Sequence, residues 1–170
     1  MKNIIVFFCA ITIWGCRNEE YVYISIEQKN ALLYTLTEND TISLVKNNSD
    51  SIDFVITEKE RWLVKERPMY GPTYYYEFYN LKAMSAKNSR IRIESYCAER
   101  DKFYFEFSIE GKIILNYIES FFESIKFEGI MYNNVYLLKN YTSSKDSCYT
   151  SVQYGIIKAW NDTVVYRRVQ

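Results

Sequence analysis

Residues 89–96 read Ser-Arg-Ile-Arg-Ile-Glu-Ser-Tyr (SRIRIESY). Arg90, Arg92 and Glu94 fall on one side of an extended chain, Ile91 and Ile93 on the other. That period of two suits a strand with one wet face and one buried face, and it would scatter the isoleucines around a helix. The same pattern recurs on both sides. TISLVKN, SIDFVITEK, RWLVKE, TYYYEFYNLKAM, KFYFEFSI, IKFEGIMYNNVYLL, YTSVQYGIIKAW and TVVYRRV are short runs rich in β-branched and aromatic residues. Turn formers separate them, notably Asn47-Asn48-Ser49-Asp50, while Asn161-Asp162-Thr163 reads as the turn of a closing hairpin.

Two places depart from this period. Ser25-Ile26-Glu27-Gln28 fits a capping box, and Leu32, Leu33 and Leu36 follow at helical spacing, which predicts a short helix over residues 26–34. Between Lys112 and Ser124, apolar residues recur at three and four (Ile114, Leu115, Ile118, Phe121, Phe122), so a second short helix is expected there. The fold class is therefore mainly β: an antiparallel meander of eight to ten strands forming a curved sheet or partly closed barrel, with one or two short helices. Gly155 interrupts the last long apolar run and marks a bulge or a close packing contact.

Composition removes several classes of function. The 170 residues contain no histidine, which excludes Ser-His-Asp and Cys-His catalysis and histidine-containing zinc sites. Five glycines and no glycine-rich loop leave no phosphate cradle. Lys2 is the one charged residue among the first fifteen, so the remainder carries 20 basic and 21 acidic residues. No basic footprint for nucleic acid exists, and no cofactor or metal is expected.

The N-terminus sets the compartment. Lys2 precedes an apolar run of ten residues, Ile4 to Ile13, too short to span the ~30 Å bilayer core that needs about 20. Ile13-Trp14-Gly15-Cys16 resembles the lipobox of bacterial lipoproteins: an aliphatic, a variable and a small residue, then Cys. The resemblance implies cleavage before Cys16 and acylation of its thiol by palmitate-type chains. Residues 1–15 are then a signal peptide, 16–24 a lipidated Cys with a short tether, and 25–170 a single β-rich domain. Glu19-Glu20 behind the Cys resembles the acidic export tag of bacteroidete surface lipoproteins, and equally reads as a solvated linker charge.

With Cys9 removed and Cys16 acylated, Cys97 and Cys148 remain. An oxidising envelope favours a disulfide between them, and two separate core thiols are the other reading. Tyr74, Tyr76 and Phe78 share one side of a strand, where aromatic side chains either line a ligand groove or pack plainly. Glu58, Glu60, Glu94, Asp101 and Glu106 are the available carboxylates, none set in a distinctive motif. Asp40-Thr41-Ile42, Asp50-Ser51-Ile52 and Asp162-Thr163-Val164 resemble a bacteroidete O-glycosylation sequon, which places sugars on Thr41, Ser51 and Thr163. The same triplet arises wherever a turn becomes a strand.

Taken in order, the lipobox, a helix running into LLYTLTEND, the pair ISLVKNNSDSIDFVI, and NVYLLKN followed by YGIIKAW resemble a group of small bacteroidete-type lipoproteins. That resemblance implies a fold and an outer-membrane, lipid-anchored location on the periplasmic face or the cell surface; it brings no activity. The expectation is a non-enzymatic binding or accessory module whose partners are the membrane and an envelope protein. The alternative is a carrier that shelters an apolar ligand against the aromatic sheet.

Overall fold

The computed structural model describes residues 18–33, 35–49, 51–69, 71–99, 102–143 and 145–169, the side chains of 98 and 99 excepted. Its elements in chain order are β1 (Glu19–Val22), α1 (Ile26–Ala31), β2 (Thr41–Lys46), β3 (Ser51–Glu66), β4 (Thr73–Met84), β5 (Arg90–Glu99), β6 (Lys102–Ile109), β7 (Ile113–Leu115), β8 (Tyr117–Phe127), β9 (Ile130–Lys139), β10 (Ser147–Ser151), β11 (Gly155–Trp160) and β12 (Val165–Arg168). The signal segment, the lipobox and Cys16 lie outside the described residues, as do Asp50 and Asp101.

The strands form one sheet in the order β7-β6-β5-β4-β3-β2-β12-β11-β10-β9-β8, with β1 added in parallel beside β4. Every other pairing is antiparallel. The first and last strands of that order, β7 and β8, are consecutive in the chain and separated only by Asn116. The sheet therefore returns to itself through a corner: β7 pairs with β6, and β8, after the bend, pairs with β9. The result is an up-and-down, nearly closed barrel of the expected class. Counting β7–β8 as one strand and setting β1 aside, the circuit has ten members among the described residues.

Side chains fill the interior. Leu44, Phe54, Leu81, Ile91, Ile93, Phe107, Ile109, Leu115 and Leu138 are fully buried. From the helix end, Ala31, Leu32 and Leu33 are equally buried, and Thr150 donates from its hydroxyl to the Ala31 carbonyl at 2.8 Å. The capping box forms as expected, with Ser25 Oγ accepting from the Gln28 N–H and Gln28 Oε1 accepting from the Ser25 N–H. Helix α1 stops at Ala31, short of the expected 34.

Three expectations need correction. The segment 112–124 is strand, not helix. A bulge at Glu119 shifts the register between Ile118 and Ser120, and Phe121 and Phe122 then serve opposite faces, against Tyr136 and Tyr149. The bend and bulge break the period of two and leave apolar spacings that imitate a helix. Cys97 and Cys148 are both buried and unbonded. They sit on β5 and β10, which are not ladder neighbours. Finally, Glu19–Val22, expected within the tether, forms β1, and Val22 and Ile24 are buried. Gly155 needs its positive φ (+69°) where the β10–β11 turn ends; nothing crowds its Cα, and the bulge falls two residues later at Ile157.

A charged strap crosses one end of the barrel. Glu110, in the β6–β7 turn, accepts from the Tyr166 hydroxyl at 2.6 Å and pairs with Lys46, which reaches it from the end of β2. Burial pushes the Glu110 carboxyl up, but hydrogen bonds from Lys46, Tyr166 and Ser89 outweigh it and hold the group below the ordinary 4.5. A depressed carboxylate stabilises the fold above its unfolded value and loses that contribution as pH falls through its folded value. Glu110→Gln is accordingly expected to unfold at lower urea than the wild type at pH 7. The gap should close as pH drops below 4.5, read as paired urea midpoints across the acid range.

Candidate functional site

Beyond the closed barrel, four strands continue as a projection. β3 pairs with β2 only over Ser51–Val55 and then runs on beside β4 to Glu66. β6 pairs with β7 only from Phe107 to Ile109, so its Lys102–Glu106 half also runs on, beside β5. Among the described residues, the outer edges of these halves carry no further strand. The tip of the projection holds the β3–β4 loop and the start of β1, where the Thr73 N–H donates to the Asn18 carbonyl at 2.9 Å.

The expected face of Tyr74, Tyr76 and Phe78 lies on the outside of this projection, and the structure joins it to residues the sequence did not single out. Trp62, Phe78, Tyr96 and Tyr104 stand directly opposite one another on β3, β4, β5 and β6. Their rings stack in one cross-strand row with centroid separations of 5.7, 5.1 and 5.4 Å and interplanar angles of 20, 8 and 23°. Tyr74 and Tyr76 stack beside them at 5.8 Å. Tyr76 is buried, whereas Trp62, Tyr96 and Tyr104 remain 42, 39 and 46% exposed. A cleft of about 530 Å³ runs along the row, lined also by Glu94, Glu106 and Asn116. At these separations, near-parallel rings are offset-stacked, each covering part of its neighbour's face. The row thus shows solvent its edges, with only the outer faces of Trp62 and Tyr104 left open. A groove built to stack a sugar would need the covered faces.

The opposite face of β4 presents Tyr75, Glu77 and Tyr79. Glu77 is fully buried and accepts from the Ile24 N–H at 2.8 Å, with Lys29 Nζ at 3.1 Å and Arg61 Nε at 2.5 Å. This carboxylate ties β1 and α1 to the projection. Near the tip, Tyr21 stacks on Tyr75 at 4.8 Å and on Tyr23 at 6.2 Å. The hydroxyls of Tyr21 and Tyr75 donate to Glu19 at 3.3 and 3.2 Å. Burial, helped by Glu19, raises the Tyr21 phenol above its usual value.

Of the other carboxylates, Glu58 is held by Lys82 at 2.7 Å and Asn80 at 2.5 Å, and the Lys82 hydrogen bond draws its pKa down. Glu94 and Glu106 face each other across β5 and β6, but both lie on an open outer surface, with Glu94 paired to Arg92. Burial raises the Cys97 and Cys148 thiols, which suppresses the thiolate. Thr41, Ser51 and Thr163 are all exposed at turn-to-strand junctions. Asn161 Oδ1 accepts from both the N–H and the hydroxyl of Thr163, at 2.9 and 3.0 Å. Among the described residues, no group of three or more His, Cys, Asp or Glu side chains is placed to hold a metal, and no helix is long and apolar enough to cross a membrane.

No protein-family model, curated protein or solved structure matches the chain.

Tyr96 stacks on two neighbours and Tyr104 on one, at similar exposure. With aromatic pairs worth roughly 0.5–1.5 kcal/mol each, Tyr96→Ala should cost about 1 kcal/mol more than Tyr104→Ala in urea unfolding. Equal losses would mean that the rings contribute independently of the row.

Proposed function

We propose that this chain is a lipid-anchored envelope protein, similar to small bacteroidete-type lipoproteins, that acts as a non-enzymatic binding or accessory module through surface contact. The observation that carries the reading is the exposed cross-strand row of Trp62, Phe78, Tyr96 and Tyr104 on the outside of a barrel whose inside is filled. A carrier of apolar cargo needs an enclosed apolar cavity of several hundred Å³, about 300–1,000 Å³ for most ligands. Here that volume is occupied by core side chains and by Leu32 and Leu33. Four clefts among the described residues, of about 350 to 530 Å³, are open at the surface.

The anchor is Cys16, with residues 1–15 removed as a signal peptide and the domain beginning at β1 rather than after the short tether that ends at residue 24. The location is the outer membrane, on its periplasmic face or at the cell surface. Thr41, Ser51 and Thr163 are exposed hydroxyls available to glycan-attaching enzymes, and they are the acceptors on this reading.

Intact mass of the detergent-extracted native protein tests the reading. Residues 16–170 plus acyl chains are expected, with no two-proton gain on reduction, since Cys97 and Cys148 are unbonded. Cys16→Ala should lose the acyl mass and leave the membrane fraction. An unprocessed or lipid-free native mass would overturn the anchor, and stoichiometric lipid extracted from the Cys16→Ala protein would overturn contact in favour of carriage.

A further inference from the structure

We propose that the tip of the projection rests in the interfacial zone of the bilayer that holds Cys16, so the partner of the aromatic face is the membrane itself. The inference depends on the anchored reading above, and starts from where the chain enters the domain. Cys16 is two residues before Asn18, no more than about 7 Å of extended chain. Asn18 is bonded to Thr73 at the tip. A lipid on Cys16 therefore holds this end of the molecule, and no other, against the bilayer surface.

The side chains of the projection are sorted along that direction. Glu60, Asn80, Glu94 and Glu106 form one cross-strand row on the outer face. One step nearer the tip, about 7 Å along the strands, stands the row of Trp62, Phe78, Tyr96 and Tyr104. The next step brings Val64, Tyr76 and Val22 together, and the last, at the rim of the tip, holds Glu66, Tyr74 and Glu20. On the other face of the tip, Tyr21 and Tyr23 are 48 and 52% exposed, and in the β3–β4 loop Met69 is 80% exposed between Pro68 and Pro72. Apolar and aromatic side chains thus form a belt on both faces of the end that the anchor holds, bounded by the acidic row on the barrel side and by the charged rim of Glu20 and Glu66 at the tip. Tyr and Trp combine an apolar ring with a polar edge, and the row presents its ring edges outward, the geometry suited to a zone apolar on one side and wet on the other. Lys65 and Arg67 have stems long enough to keep their charges at headgroup level.

A second copy of the chain fits the same surface poorly. A two-fold antiparallel pairing through the open edge of β3 must centre on one residue. Centring on Trp62 sets Lys59 opposite Lys65 and Glu58 opposite Glu66; centring on Leu63 sets Arg61 opposite Lys65 and Glu60 opposite Glu66. Centring on Arg61 opposes the two Arg61 side chains, and centring on Val64 opposes Arg61 to Arg67. Like charges directly opposite destabilise a ladder.

The test uses the domain from Cys16 to Gln170, which contains every described element, coupled through the Cys16 thiol to maleimide-lipid vesicles of phosphatidylcholine; Cys97 and Cys148 are buried and do not compete. Trp160→Phe leaves Trp62 as the single tryptophan of this chain, and Trp62→Phe leaves Trp160, which adjoins the β11–β12 turn at the other end of the barrel. With brominated acyl chains, Trp62 emission should fall about two-fold, because surfaces of this kind reach ~5–10 Å into the acyl boundary, and Trp160 emission should hold. Equal quenching of both, or of neither, would overturn the proposal. So would a concentration-dependent dimer that shields Trp62 from the lipid. The coupling is chemical, so the two readings fail separately. Native protein without acyl mass but with Trp62 quenched would end the anchor and support the lipid affinity of the tip; acylated native protein with Trp62 unquenched would do the reverse.

Discussion

Asn116 is the point on which the barrel turns. The sheet closes because its two ends, β7 and β8, are adjacent pieces of one strand, and the chain changes ladder partner from β6 to β9 at this residue. Backbone and side chain both hold the corner: the Asn116 N–H donates to the Lys139 carbonyl at 2.8 Å, and its Oδ1 accepts from the Tyr141 N–H at 2.8 Å. Without the corner, the meander would be an open sheet with two long edges, and its one short helix could not cover the apolar face. With it, β8 to β12 run back to β2 and the interior is sealed around Phe54, Phe107 and Leu138. The same corner produces the projection. Once β8 leaves β6, the Lys102–Glu106 half of β6 has no ladder partner on that side among the described residues.

Glu77 makes the projection rigid with respect to the N-terminal segment. A fully buried carboxylate is costly unless it is paired, and here the Ile24 N–H and Lys29 meet Oε2 while the Arg61 charge stands beside Oε1, which takes no hydrogen bond among the described residues, so three separate stretches of chain converge on it. Those stretches are the β1–α1 link, α1 and β3, so the carboxylate fixes the entry point of the chain relative to the aromatic face. The parallel pairing of β1 with β4 does the same through the backbone. A tether that ended at residue 24 would have left the entering chain free to turn relative to the aromatic face; a strand beginning at Glu19 does not.

Local rules made much of this legible. The alternation in Arg90–Glu94, the capping box at Ser25 and the turn at Asn161 all reappear where the residues placed them, because each depends on neighbours within a few positions. Asn47 and Asn48 both adopt positive φ, which Asn tolerates, and their turn joins β2 to β3. What depends on long-range register was hidden. The side-by-side placement of Tyr74, Tyr76 and Phe78 follows from a period of two, but Trp62, Tyr96 and Tyr104 join Phe78 only through three separate hairpin registers. The separation of Cys97 from Cys148 depends on the whole strand order. The bulge at Glu119 hid a strand because it adds one residue to an otherwise regular alternation, and nothing local announces it.

The exposed edges and the exposed rings of the projection make opposite demands, and together they narrow what can bind. An open edge such as β3 beyond Val55 is a template for another strand, yet it carries Lys59, Glu60, Arg61, Lys65 and Glu66 within eight residues. Charges of that density suppress backbone pairing with any strand that does not answer them in register. The rings alongside carry no such restriction, since apolar contact is non-directional and follows buried area. Stacked rings with covered faces and free edges also offer little to a flat ligand that binds by stacking. A surface of this construction favours a partner that is soft, extended and without its own register, and a bilayer interface is such a partner. Its position beside residue 18 gives that contact a high effective concentration without any new interaction having to form.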